Sequence, residues 1–157
     1  MDRIGRLEAI EEIKQVKARY FRSLDTKDRA LASTVFTENA TADFRGATID
    51  TRTGLDAAPV SLGEVIRGSK AIVDMLMLSG ERMDSVHHGS IPEIEILSDT
   101  TTKAIWPMVD RLLFKPGMNA SALDGWGHYY DTYRCEGGKW KIESTRLTRL
   151  RVDNTAV

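Results

Sequence analysis

The chain has 157 residues, a mass of 17.6 kDa, 22 basic and 23 acidic side chains, and a formal net charge of -1. That length suits one domain spanning residues 1–157, and the interleaved charges form no basic block or stripe of the kind nucleic acid attracts. Cys135 is the only cysteine, which excludes an intramolecular disulfide, and no Cys/His spacing resembles a zinc site. The start, Met1-Asp-Arg-Ile-Gly-Arg, has no apolar signal core and no stretch reaches membrane-spanning length, so a soluble, cytoplasmic protein is expected.

Ile4, Leu7, Ile10, Ile13, Val16, Tyr20 and Leu24 fall three or four apart, the stripe of a long amphipathic helix that can cover a sheet. Asp28 caps a short second helix marked by Leu31, Val35 and Phe36, and Ala40 to Phe44 reads as the first strand. Residues 45–68 keep no lasting period and are read as a long loop or flap. Ser69 is the expected cap of a third helix with Ile72, Val73 and Leu76 on its inner face. Four β segments follow: Val86 to Leu97, which Pro92 divides or bends, then Thr102 to Phe114, Gly127 to Cys135 and Lys139 to Val152. Gly137-Gly138 is a two-residue hairpin signal, because glycine permits the positive φ angles of primed turns. Helices followed by a meander of long strands predict an α+β fold.

Three residues form a candidate catalytic set: Tyr20, Asp25 and a histidine of the His87-His88 pair. A carboxylate that holds an imidazole, with a phenol nearby, can take one proton and deliver another without metal or cofactor. Adjacent strand residues face opposite ways, so only one of His87 and His88 can point inward. Tyr20 and Asp25 are one and a half helical turns apart, so a shared pocket is expected to need a fray or turn near Leu24.

The segments Ile13-Lys-Gln-Val-Lys-Ala-Arg-Tyr-Phe-Arg-Ser-Leu-Asp25, His87-His-Gly-Ser-Ile-Pro-Glu-Ile94, Trp106 with Asp110-Arg-Leu-Leu-Phe114, and Tyr129-Tyr-Asp-Thr-Tyr-Arg-Cys-Glu-Gly-Gly-Lys-Trp140 carry a resemblance. They resemble the bile-acid 7α-dehydratase group, within the SnoaL-like branch of the nuclear-transport-factor-2-like superfamily. Hexachlorocyclohexane dehydrochlorinases and scytalone dehydratase are more distant relatives. The resemblance implies a cone-shaped fold with N-terminal helices on a curved, mostly antiparallel sheet, and a lyase that uses no cofactor and no metal. It places the family's tyrosine, aspartate and histidine on Tyr20, Asp25 and His87, and its C-terminal-strand arginine on Arg149. Where those dehydratases carry a second pocket tyrosine on the first strand this chain has Phe44, and the segment 45–68 is longer.

Trp140 and Ile142 are expected to face inward, so an inward Arg149 requires a bulge in the last strand. Phe44, Trp106, Met108 and Tyr130 are expected to line an apolar, aromatic pocket, with His128 a further candidate. Pro107 suggests a bulge or a local edge in its strand.

The expected partner is a hydrophobic aromatic or polycyclic alcohol, with no nucleic acid or membrane. Its reaction would be dehydration, or aldehyde-releasing carbon–carbon cleavage of an aryl diol. A ketosteroid-isomerase-like proton shuttle and a non-catalytic binding module or oxygenase small subunit are the alternatives. The family resemblance implies a homo-oligomer, a trimer ahead of a dimer.

Overall fold

The computed structural model describes residues 1–54, 56, 63–118 and 120–157. Of the expected flap, residues 55 and 57–62 lie outside the described residues. Helix α1 (Arg3–Asp25) begins where the Asp2 carboxylate accepts from the Gly5 N–H at 2.8 Å. Ala9, Ile13, Val16, Tyr20 and Phe21 are its buried apolar positions. Ile4 and Leu7, expected on the same inner stripe, are exposed, because burial of α1 begins only at Ala9 and its first turns overhang the packed layer.

The cap of α2 (Arg29–Val35) is the expected Asp28, whose side chain accepts from the Leu31 N–H at 2.9 Å. Phe36 is the first residue of β1 (Phe36–Gly46) and not part of the helix. In α3 (Ser69–Gly80) the expected cap, Ser69, is instead the first helical residue. Gly68, at φ +90°, makes the entry turn with no side-chain cap bond.

The remaining strands are β2 (Ile66–Arg67), β3 (Met83–Gly89), β4 (Glu93–Ile96), β5 (Thr101–Phe114), β6 (Ala120–Glu136) and β7 (Lys139–Ala156). Among the described residues they form one sheet in the order β2-β1-β7-β6-β5-β3, with β4 also paired to β5. Only β1 and β7 run parallel, and the other pairs are antiparallel. Three helices packed on this mixed, curved sheet make a cone-shaped α+β fold.

The β6–β7 hairpin turns on Gly137 and Gly138, at φ +58° and +76°. Pro92 lies in the break between β3 and β4. Pro107 sits where β3 has finished pairing with β5 at Met108 and β4 begins at Ile105, a local edge that asks no N–H of it. No helix among the described residues is long and apolar enough to cross a membrane.

The last strand changes its inward set twice. Tyr133 opposes Ile142 while Thr132 opposes Ser144, so Glu143 is an extra residue; Gly127 opposes Arg149 while Trp126 opposes Arg151, so Leu150 is another. Each insertion reverses which side chains face the helices. Trp140 and Ile142 are buried before the first, Thr145, Leu147 and Arg149 between the two, and Val152 after the second. The inward Arg149 thus has the bulge that parity requires.

Gly127 sits at the second bulge, where an added Cβ would meet the Thr148 carbonyl oxygen at 2.0 Å. Gly127→Ala is therefore expected to lower stability by about 1–3 kcal/mol, read from urea unfolding curves.

Candidate active site

Three antiparallel strands bring the polar groups together before any side chain is considered. His87 on β3 lies opposite Asp110 on β5, and Asp110 lies opposite Gly125 on β6. Ser85 shares the inner face two residues before His87, by the period of a strand.

Asp25, the last residue of α1, meets this row from the helix layer. Its Oδ1 lies 2.6 Å from His87 Nδ1 and accepts from the Ser85 hydroxyl at 3.0 Å, while Oδ2 accepts from the His87 backbone N–H at 3.0 Å. Burial pushes the Asp25 carboxyl up, but the hydrogen bonds from His87 and Ser85 outweigh it and hold the group below its ordinary value. An ionised Asp25 makes Nδ1 the protonated nitrogen of a neutral His87 and leaves Nε2 with its lone pair. Phe21 stacks on the imidazole, with centroids 5.9 Å apart and planes 10° apart. Phe21 also fills the space beside Gly89, where a Cβ would come within 2.6 Å of its ring.

Across the site Arg149 is 3 % exposed and clamps Asp110 bidentately, with Nη1–Oδ1 at 2.9 Å and Nη2–Oδ2 at 2.7 Å. Its Nε donates to the Ala47 carbonyl at 2.6 Å, and Nη1 lies 3.2 Å from Met108 Sδ. This crossing is possible because position 125 has no side chain: a Cβ there would lie 2.5 Å from both Arg149 Nη1 and Asp110 Oδ1. His87 Nε2 is 3.9 Å from Asp110 Oδ2, outside hydrogen-bond reach.

These groups border a cavity of about 230 Å³. Tyr20, His87, Asp110, Tyr129 and Arg149 contribute its polar wall, and Leu24, Phe44, Met75, Leu76, Leu112 and Phe114 much of the apolar remainder. Tyr20 is fully buried, and its hydroxyl neighbours that of Tyr129 without forming a hydrogen bond of good geometry. Burial is the main reason both phenols are held above their ordinary pKa, which keeps them protonated donors.

The helix neither frays nor turns to admit both Tyr20 and Asp25. It stays regular to Asp25, and the 140° between the two positions lets Tyr20 face the cavity while Asp25 reaches the back of the imidazole.

Among the expected lining residues, Phe44 borders the cavity. Met108 lies just behind it against the Arg149 guanidinium. Trp106 is buried deeper in the cone, with Nε1 donating to the Tyr133 hydroxyl at 3.1 Å, and does not reach the cavity. Tyr130 and His128 lie on the outer face: their rings are 6.3 Å apart, and Arg146 stacks on Tyr130 at 5.0 Å. Strand alternation assigns the cavity to Tyr129 instead. Tyr129 was missed in the sequence, although counting back from Trp140 across the Gly137-Gly138 hairpin puts Cys135, Tyr133, Asp131 and Tyr129 on the inner face. His88 is exposed, as an outward neighbour of His87 must be. Among the described residues no group of three or more His, Cys, Asp or Glu has the geometry to hold a metal ion.

Removing one member of a buried ion pair strands the other. Asp110→Ala should lower stability by about 3–5 kcal/mol, and Asp110→Leu combined with Arg149→Met should recover most of that in urea unfolding. Asp25 has the opposite kind of signature, in pH. Its folded carboxyl titrates below the unfolded value of about 3.9, so its stabilisation is present above that pH and fades as pH falls through the lower folded value. The stability gap between the native chain and Asp25→Asn should therefore be widest near about pH 7 and shrink toward about pH 2.

Solved structures share this architecture across nearly the whole chain. A type 2 hexachlorocyclohexane dehydrochlorinase matches with a TM-score of 0.78 at 14% identity, covering 99% of this chain and 94% of that one. A scytalone dehydratase-like protein from Novosphingobium aromaticivorans matches at 0.77 and 18% identity, covering 98% and 91%. A type 3 dehydrochlorinase from Novosphingobium barchaimii matches at 0.77 and 13%, covering 99% and 95%. At such identities the likeness is one of fold. The family model of the SnoaL-like domain matches residues 5–146, and the chain belongs to that family.

Proposed function

We propose that this protein is a cofactor-independent lyase that acts on a hydrophobic aromatic or polycyclic alcohol through general-base catalysis by His87, with Asp25 as its partner. The carrying observation is the asymmetry of His87: Nδ1 is tied to an ionised carboxylate at 2.6 Å, while Nε2 opens toward an apolar cavity whose wall includes two protonated phenols. A base and two acids facing one small space are what an elimination requires. The dehydrochlorinase and dehydratase names of the similar structures favour the same class of chemistry.

In the dehydration, Nε2 takes a proton from carbon and the freed electron pair forms a C=C bond. The adjacent C–O bond breaks, and the departing oxygen leaves as water with a proton from Tyr20 or Tyr129. The imidazolium, stabilised by Asp25, then returns a proton to the tyrosinate. In the cleavage variant Nε2 takes a hydroxyl proton and a C=O bond forms as the neighbouring carbon–carbon bond breaks; that bond's electron pair becomes a C=C bond and expels the second hydroxyl, which leaves as water with a proton from Tyr20 or Tyr129, and the imidazolium returns its proton to the tyrosinate. Arg149, spent on Asp110 and Ala47, holds the acidic wall in place rather than meeting the substrate first.

A cavity of about 230 Å³ is small for a ligand site and favours a one- or two-ring body over a four-ring steroid. Aromatic-compound catabolism is the setting such a substrate implies. Apolar and aromatic residues exposed on the outer face, Val109 and Tyr130 among them, favour assembly into a homo-oligomer, a trimer or a dimer.

Incubation with aryl diols and hydroxylated one- and two-ring compounds, read by mass spectrometry, tests the chemistry. Loss of water or aldehyde is expected, whereas an unchanged mass in a converted product means isomerisation. His87→Ala and Asp25→Asn should each lower kcat by about 10²–10⁴ with ligand binding retained. Full turnover in both variants would remove the proposed base.

A further inference from the structure

Lys17 is the most deeply buried cation that the proposed chemistry leaves unused. It is 1% exposed, and its ammonium lies 2.8 Å from the Asp131 carboxylate, which is itself fully buried. Asp131 also accepts from the Tyr133 hydroxyl at 2.8 Å and from Thr145 at 2.6 Å, so its acceptors are well used. Among the described residues no second carboxylate pairs with Lys17. Its remaining surroundings are aromatic: the Nζ lies 3.6 Å from the Tyr129 ring centroid, 4.7 Å from Tyr20 and 5.1 Å from Phe21.

All three rings belong to the site or touch its residues. Tyr129 and Tyr20 both line the cavity, and Phe21 stacks on the His87 imidazole. Lys17 precedes Tyr20 and Phe21 by three and four residues, so α1 delivers all three to one face. Packing alone does not call for a charge here. Burying an ion pair costs about as much in desolvation as the attraction returns, and a methionine would fill the same volume. What an ammonium adds against the face of a ring is a pull on its electrons, which makes the phenol a stronger hydrogen-bond donor, and a fixed ring orientation.

We propose that Lys17, held by Asp131, is a positioning residue of this site: it fixes the Tyr129 and Tyr20 rings and strengthens their hydroxyls as donors to the oxygen that gains charge in the cavity. The inference rests on the proposed reading of the two phenols as donors.

The test uses 4-nitrophenol, whose phenolate is coloured and mimics such an oxygen, beside nitrobenzene, which has the same ring and no ionisable oxygen. The native protein should bind the phenolate form in preference to the neutral phenol. Lys17→Met with Asp131→Asn, checked for folding by circular dichroism, should weaken phenolate binding about tenfold while nitrobenzene affinity changes by less than about twofold. Lys17→Gln should act in the same direction and serves if the double variant does not fold. In a Tyr129→Phe background the Lys17 substitution should have little further effect on the phenolate.

Equal losses for both probes, or no loss, would reduce Lys17 to a packing role and overturn the inference alone. If Tyr20→Phe and Tyr129→Phe both leave phenolate binding intact, or if 4-nitrophenol does not bind, the donor reading fails and takes the inference with it.

Discussion

Insertion of Glu143 into the β6–β7 ladder moves every later side chain of β7 to the opposite face, and insertion of Leu150 moves them back. Between the two lie Thr145, Leu147 and Arg149, which enter the cone only because of the first insertion. Without it, Thr145 would not reach Asp131 and Arg149 would not reach Asp110. Both buried carboxylates would then be short of partners in a place where an unpaired charge is strongly destabilising. The contents of the cone follow from this phase shift, and Gly125 and Gly127 on the facing strand make room for it.

The two carboxylates organise the interior at two depths. Asp131 joins Lys17, Tyr133 and Thr145 toward the closed end, and Trp106 extends that group through Tyr133. Asp110 and Arg149 form the polar wall of the cavity nearer the mouth. Tyr129 connects the levels, with its ring on the Lys17 ammonium and its hydroxyl beside that of Tyr20. His87 Nε2 and the Tyr20 hydroxyl lie at this wall without a hydrogen bond of good geometry.

Much of this was readable from local signals. Asp28 capped its helix, Gly137 and Gly138 turned their hairpin, and the segments around Tyr20, Asp25 and His87 were identified by their resemblance to a family. The misplacements on β6 have a common source in facing direction. Tyr130 and His128 were placed in the cavity and Tyr129 was not, because neighbouring aromatic residues on a strand look alike until a turn or a bulge sets the phase. Tyr20 and Asp25 need not share a helix face to border one site. They approach the imidazole from different sides, so the regular helix serves both.

The sequence by itself determined the α+β order of elements, the strand pattern around the glycine hairpin, and the types of residue from which the cavity wall is built. Those features depend on spacing and on backbone preference within a few residues. Tertiary structure decided that Arg149 turns inward but is bound to Asp110, that Tyr129 rather than Tyr130 meets the cavity, and that Lys17 sits beneath the aromatic wall. The first depends on a bulge between β6 and β7, the second on which face of β6 is turned inward, and the third on where α1 packs against that face. One extra residue in a strand reverses a face, and no local property of the sequence records which face ends up buried.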